Sequence, residues 1–336
     1  MRSSLLTQKL IILLCLLGLI AAQCEPEPLP TAPPSSQPIS PPPTPLLIPP
    51  IQPGDGSDLM DQLLEQGLIR VGLRVWPEAS FSPPAFRGGS NAATGGALNG
   101  FEVELAHMIA ENLGLELELI EAYPPVIARG DWGGQWNIAL ASLVPFDQPP
   151  QAPPGVLRFS NPYAYMPMGV LIPAGAANIE SLADLAGRPV GVLADSAYQD
   201  LLTPAGSTLT VQAQPLIDPI PVEVRLVSLS NLPKAMRELG EPGSETAAQV
   251  EAIVGPAPMF AAAVQQGNPV QLTLQGERVG YQPLAIAVVP PQGLEVDRLL
   301  LEINKILERL QDRGALAELS LRWYNQDLSR PPPERR

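Results

Sequence analysis

Histidine occurs once in the chain, at His107, and cysteine twice, at Cys15 and Cys24. That scarcity excludes zinc sites of the Cys/His type and Cys–His nucleophile pairs, which have no material to work with. Basic residues number 20 against 34 Asp and Glu and never cluster; at a formal net charge of −14, nucleic acid and anionic membrane surfaces are excluded as main partners. The motifs G-x-S-x-G, G-x-x-x-x-G-K-[ST] and H-E-x-x-H are absent. After residue 22 no stretch reaches the ~18 apolar residues of a spanning helix. What is present, 336 residues of which 45% are hydrophobic and 16% charged, is too apolar for a disordered chain. It is long enough to build two lobes around sizeable cores.

Arg2 and Lys9 precede thirteen apolar residues, Leu10 to Ala22, the layout of a secretory signal and too short to span a bilayer. Export removes Cys15 with residues 1–23 and leaves Cys24 as the only thiol, so an internal disulfide is excluded. Leu19-Ile20-Ala21-Ala22-Gln23-Cys24 resembles the bacterial lipoprotein processing site, with Gln23 where a small residue is usual; the resemblance implies lipidation of Cys24. The alternative is ordinary cleavage after Ala22. Loss of Arg2 and Lys9 takes the formal charge to −16. From Glu25 to Ser57, thirteen of thirty-three residues are proline and none is Lys or Arg. Such a segment packs no core and favours extended polyproline II geometry, a tether reaching on the order of 100 Å at ~3.1 Å per residue.

Beyond the tether, helical and strand periods alternate. Ser57 is placed to cap a helix over Leu59 to Gln66, ended by Gly67. Leu68 to Val75 alternates as a strand; Phe101, Leu105, Met108, Ile109 and Leu113 follow a 3.6 period closed by Gly114; Leu115 to Ile120 alternates again; Trp136 to Val144 suits a buried strand. A second set follows: strands at Val170–Ile172, Pro189–Leu193, Val222–Leu229, Ala252–Val254 and Leu284–Val289. Between and after them come helices at Ser181–Leu185, from Ser196 to Leu202, and at Leu232–Glu238, Met259–Gln266, Val296–Gln311 and Leu316–Tyr324. Two rounds of alternation imply two α/β lobes.

Four segments, in register, carry a more specific signal. They are Ile69-Arg70-Val71-Gly72-Leu73 with Ser82 to Phe86 and Leu98 to Ala106; Gln135-Trp136-Asn137-Ile138-Ala139 to Ser142 with Arg158 to Tyr163; Ser181 to Val192; and Gly314 through Leu319 to Trp323-Tyr324. Over residues 68 to about 325 the chain resembles the extracytoplasmic solute-binding proteins of family 3, which deliver polar amino acids to ABC importers. The resemblance implies a two-lobed, type II periplasmic-binding-protein-like clamp of the α/β class, each lobe a mixed, mostly parallel sheet flanked by helices. Its expected division is signal peptide 1–23, lipidated tether 24–57, lobe one from 58–162 plus 284–328, lobe two 163–283, and a disordered tail 329–336. Crossings are expected around Phe159–Tyr165 and Gly280–Leu284. Function would be ligand-dependent closure, the closed state alone contacting the ligand from both sides.

The resemblance also places three anchors for an α-amino acid, and all three are altered. Where an Arg usually meets the α-carboxylate, the chain reads Val144-Pro145-Phe146-Asp147-Gln148-Pro149. The Gly-Ser/Thr turn that donates to the same carboxylate is Asp195-Ser196. The Asp that takes the α-ammonium falls at about Pro256. Since a buried charge without its partner costs several kcal/mol, the expected ligand is a neutral or cationic polar compound without a free α-carboxylate, held partly by aromatic faces. Candidate ligand contacts are Trp76, Phe81, Phe86, Tyr123 and Ser142 from lobe one and Asp195 and Ser196 from lobe two. The competing readings are core packing for the aromatics, a plain helix cap for Ser196 and a solvated acid for Asp195. Arg87 or Arg129 is weighed as a replacement cation. Glu104, His107 and Glu111 share a helical face, but one His is a poor start for a metal site, so neither metal nor cofactor is expected. The partners implied are a small-molecule ligand and ABC permease subunits, with the chain monomeric and held by its lipid on the outer face of the cytoplasmic membrane. A dehydratase-like enzyme on the same clamp and a ligand sensor are the rival readings, and a degenerate clamp that binds nothing is a third.

Overall fold

The computed structural model describes residues 51–74, 98–217 and 223–332, all within the unit Ile48–Arg336. The signal segment, Cys24, most of the tether, and Trp76, Phe81, Phe86 and Arg87 lie outside the described residues. The strands are β1 (Leu68–Leu73), β2 (Glu116–Glu121), β3 (Ile138–Leu143), β4 (Arg158–Phe159), β5 (Ala164–Pro173), β6 (Pro189–Leu193), β7 (Thr210–Val211), β8 (Gln214–Pro215), β9 (Arg225–Leu229), β10 (Ala252–Pro256), β11 (Val270–Gln275) and β12 (Tyr281–Val288). All but β7 and β8 belong to one curled sheet in the order β2-β1-β3-β12-β5-β10-β6-β9, with β11 on β5 and β4 on β12.

The sheet is mixed in a way the alternating pattern does not convey. Towards its ends β1 runs parallel to β2 and β3, and β6 parallel to β9 and β10. At its centre β5 and β12 are antiparallel to each other and to their other partners. Along β12 the pairing changes: Tyr281–Leu284 lie against Ala164–Pro167 of β5, whereas Ala285–Val288 lie against β3 and β4. Two paired strands thus join the halves.

Helix Leu59–Gln66 begins with Asp58, not Ser57, as its cap: Asp58 accepts from the Met60 amide, and Gly67 closes the helix at φ 67°. Asp58 is also held against the far end of the chain, accepting from the Arg298 and Leu299 amides at 2.9 and 3.3 Å. One carboxylate therefore caps two helices, Leu59–Gln66 and Asp297–Asp312, and ties both ends of the folded chain into one half. Helix Phe101–Leu113 buries Phe101, Leu105, Ile109 and Leu113, the period read from the sequence. Helix Pro124–Arg129, with Pro at its first positions, Glu245–Gln249, strand β11 and the β7–β8 hairpin have no counterpart in that reading. At the C-terminus Leu328 and Ser329 are buried, and Leu328 donates to Ser320 Oγ while its carbonyl accepts from the Tyr165 amide. The chain is thus packed through Ser329, where the tail was expected to begin.

Candidate functional site

A cavity opens at the carboxyl ends of strands from both halves, the usual place for a ligand in an α/β sheet. Its lining includes Arg74 after β1, Ala141 to Val144 at the end of β3, Leu193 with Asp195 and Ser196 after β6, and Pro256 at the end of β10. Met166 of β5 and Gln282 and Leu284 of β12 complete it from the crossing strands. At about 100 Å³, where one water needs roughly 10–15 Å³, it has room for a small metabolite.

Two lining residues, one from each half, hold left-handed backbone without being glycine: Ser142 and Asp195, both at φ 53°. Such a conformation costs about 1–2 kcal/mol and persists where other contacts hold it. For Ser142 the contact is Glu102, whose Oε1 accepts from the Ser142 amide at 2.6 Å, its hydroxyl at 3.0 Å and Tyr163 OH at 2.5 Å. Glu102 stands in the first turn of helix Phe101–Leu113. Burial pushes its pKa up, against the pull of Tyr163, Ser142 and Arg74. For Asp195 the amide donates to Gln199 Oε1 at 3.1 Å.

The serine hydroxyls are oriented by their partners. Ser142 donates its proton to Glu102, and Ser196 donates its own to the Leu193 carbonyl at 2.6 Å, so Ser196 caps helix Ala197–Leu201 by position only. With both protons used inside the protein, each hydroxyl offers acceptor lone pairs alone. Asp195 and Asp200 add carboxylates; burial raises the Asp200 pKa, Gln151 lowers it by donating at 3.2 Å, and the charge of Asp195 raises it. Against these acceptors stands the Arg74 guanidinium, brought down to about 10 by burial and supported by the charges of Glu102 and Asp195. The Gln282 amide nitrogen is buried without a hydrogen-bond partner.

Of the residues singled out from sequence, Ser142, Asp195 and Ser196 line the cavity. Tyr123 does not: the residue is 68% exposed, just where Pro124 starts a helix. Arg129 is exposed on that same helix. Glu104 is bound to Arg322 and to Trp323 Nε1, and no metal-ligating cluster occurs among the described residues. Arg74, Glu102 and Gln282 were not anticipated as site residues. For Arg74 the signal was a basic residue at the carboxyl end of a strand; nothing in the spacing marked the other two.

The geometry defines a class first: a two-lobed α/β clamp with a cleft at its strand ends and two strands crossing between lobes. Comparison then gives the family. Residues 73–326 match the family of bacterial extracellular solute-binding proteins, family 3, and the chain belongs to it. A probable amino-acid ABC transporter-binding protein of Haemophilus influenzae is 24% identical over 266 residues, 76% of this chain and 86% of that protein. The L-cystine-binding protein TcyJ of Escherichia coli K12 is 26% identical over 274 residues, 81% of this chain and 88% of that one. An ancestral arginine-binding protein solved with glutamine superposes with a TM-score of 0.56 at 25% identity, over 77% of this chain and 99% of that structure. The fold is that of type II periplasmic amino-acid-binding proteins, and the chain is a solute-binding protein of the amino-acid ABC transporter type.

Proposed function

We propose that this protein is an exported lipoprotein, anchored through Cys24, which closes its cleft on a small neutral or cationic, donor-rich ligand and hands it to an ABC permease unaltered. The relatives bind amino acids or are assigned to amino-acid transport by name. The observation that carries the departure from them is the acceptor character of the cleft. Both serine protons point into the protein, two aspartates face the cavity, and the guanidinium of Arg74 lies within the field of Glu102 and Asp195. A ligand rich in N–H or O–H groups completes such a site, while a free α-carboxylate meets Asp195 where the resemblance expects backbone donors. Apolar walls from Ile127, Leu143, Leu157 and Phe159 suit a ligand with some hydrocarbon body.

The test is a thermal-shift and calorimetric panel of putrescine, spermidine, choline, a neutral sugar, L-arginine, L-glutamine, L-cystine and L-glutamate. A ligand at 100 times its Kd stabilises the native state by about 2.7 kcal/mol. Shifts confined to the amines and neutral polyols are expected; a strong shift with any of the four amino acids overturns this reading. The carrier reading, rather than a dehydratase-like one, predicts that the hit is recovered chemically unchanged after prolonged incubation.

A further inference from the structure

The loop that leaves β3 does not stay with its own half of the molecule. Asp147 reaches the β7–β8 hairpin, which lies in the sequence between β6 and β9 at the other end of the sheet. Its carboxylate accepts from Thr210 Oγ1 at 2.6 Å and from the Gln212 and Ala213 amides at 2.9 Å each, and its own amide donates to the Thr210 carbonyl at 2.9 Å. Four residues further on, Gln151 donates to Asp200 at 3.2 Å. The intervening Pro149 and Pro150, with Gln151 and Asp200, line the cavity, so the segment passes over the cleft, stiffened by proline.

The hairpin is shaped for this contact. Thr210 pairs with Pro215 and Val211 with Gln214, leaving a two-residue turn in which Gln212 and Ala213 are both left-handed, φ 52° and 61°. That turn normally uses Asn-Gly or another glycine pair; without glycine each residue resists it. The turn does, however, aim its two consecutive amides at one point, a concavity for an anion, and the anion here is Asp147.

We propose that Asp147 and the 210–215 hairpin form a clasp between the lobes, a positioning contact that holds the clamp shut and so sets how firmly it retains its ligand. The proposal rests on reading the cavity as the interlobe ligand site, but the clasp acts without ligand. The closed state is then favoured in the empty protein, and Asp147, which does not line the cavity, controls release.

The experiment uses the full chain without added ligand. Small-angle scattering and amide exchange are compared for wild type, Asp147→Ala, Thr210→Val and Ala213→Gly. Asp147→Ala is expected to raise the radius of gyration and speed exchange of the Gln212 and Ala213 amides by about tenfold or more, with amides in β1 and β6 unchanged. Thr210→Val, which removes one of the four bonds, should do the same to a smaller degree, and Ala213→Gly, which relieves the turn, should stay as compact as wild type. An unchanged radius of gyration in Asp147→Ala, with faster exchange confined to the hairpin, overturns the clasp and leaves only a local turn brace. Should Asp147→Ala lose protection throughout, Thr210→Val decides by the same readings. Because no ligand enters, a failed ligand panel with an opening Asp147→Ala chain sinks the ligand assignment and keeps the clasp, and the reverse pattern does the opposite.

Discussion

Replacing Glu102 tests whether one half-buried carboxylate organises the floor of the cleft. In Glu102→Ala, three donors lose their acceptor at once: the Ser142 amide, the Ser142 hydroxyl and Tyr163 OH. Tyr163 is fully buried, so its hydroxyl cannot turn to water, and an orphaned buried donor costs about 1–3 kcal/mol. Ser142 is half-buried and recovers part of its loss from solvent, although its left-handed backbone then loses the support of Glu102. Together these give a destabilisation of roughly 2–4 kcal/mol, or roughly 3–7 °C in Tm for a fold of this size. Glu102→Gln keeps an acceptor oxygen in place and sheds a charge that burial disfavours, so it should lie within about 1 kcal/mol of wild type. The sign of the pH dependence follows from the raised pKa. Ionised Glu102 is penalised in the folded state above its folded pKa, and the penalty is relieved as pH falls through that value toward the ordinary 4.5. Wild type should therefore gain on Glu102→Gln as pH is lowered from neutral toward 4.5. Urea titrations of the three proteins at several pH values provide the measurement. An alanine variant as stable as the glutamine variant would refute the reasoning.

Asp58→Ala should lower stability by about 1–3 kcal/mol, since two helix starts lose one cap; Asp58→Asn should recover most of it, as read from urea midpoints. Gly72→Ala places a Cβ 2.8–2.9 Å from the Trp136 indole, and because that ring is itself packed against Trp132 the substitution should cost about 1–3 kcal/mol. Near-ultraviolet circular dichroism, which senses both indoles, should change with it; an unaltered spectrum and midpoint would show that the ring can step aside. Arg74→Leu leaves Asp195 and Glu102 without their nearby cation, so binding of a cationic hit from the ligand panel should tighten and that of an anionic one should be lost, measured by calorimetry.

Helices that announce themselves by period and cap were readable, because one face must meet the core whatever the partner. Phe101–Leu113, with Gly114 at φ 72°, needs only local chemistry. The misses are of another kind. Pro124-Pro125 looks like a loop until the helix is seen to start on it, where a missing amide is harmless. The hairpin at Gln212-Ala213 lacks the glycine that marks such turns, since its conformation is held by Asp147 from another part of the chain. Ser142 could be picked from its place after a buried strand, but its left-handed backbone depends on Glu102, forty residues earlier. Arg70 and Arg74 fall on the same face of an alternating strand, yet Arg70 pairs on the surface with Glu118, while β1 ends at Leu73 and leaves Arg74 at the cavity. Local pattern reaches the elements; long-range hydrogen bonds decide the site.

The stretch Val144 to Pro149 shows how the loss of one contact and the gain of another are connected. By resemblance it is where an arginine of a relative meets the ligand's α-carboxylate. Here the same loop carries Asp147, whose partners are on the opposite lobe itself. Without an arginine the stretch brings no cation to the cleft, while its Asp147 bonds directly to the 210–215 hairpin. If the clasp and the ligand reading proposed above both hold, closure depends less on the charge of the ligand, and the acceptors of Ser142, Ser196, Asp195 and Asp200 are left to select it.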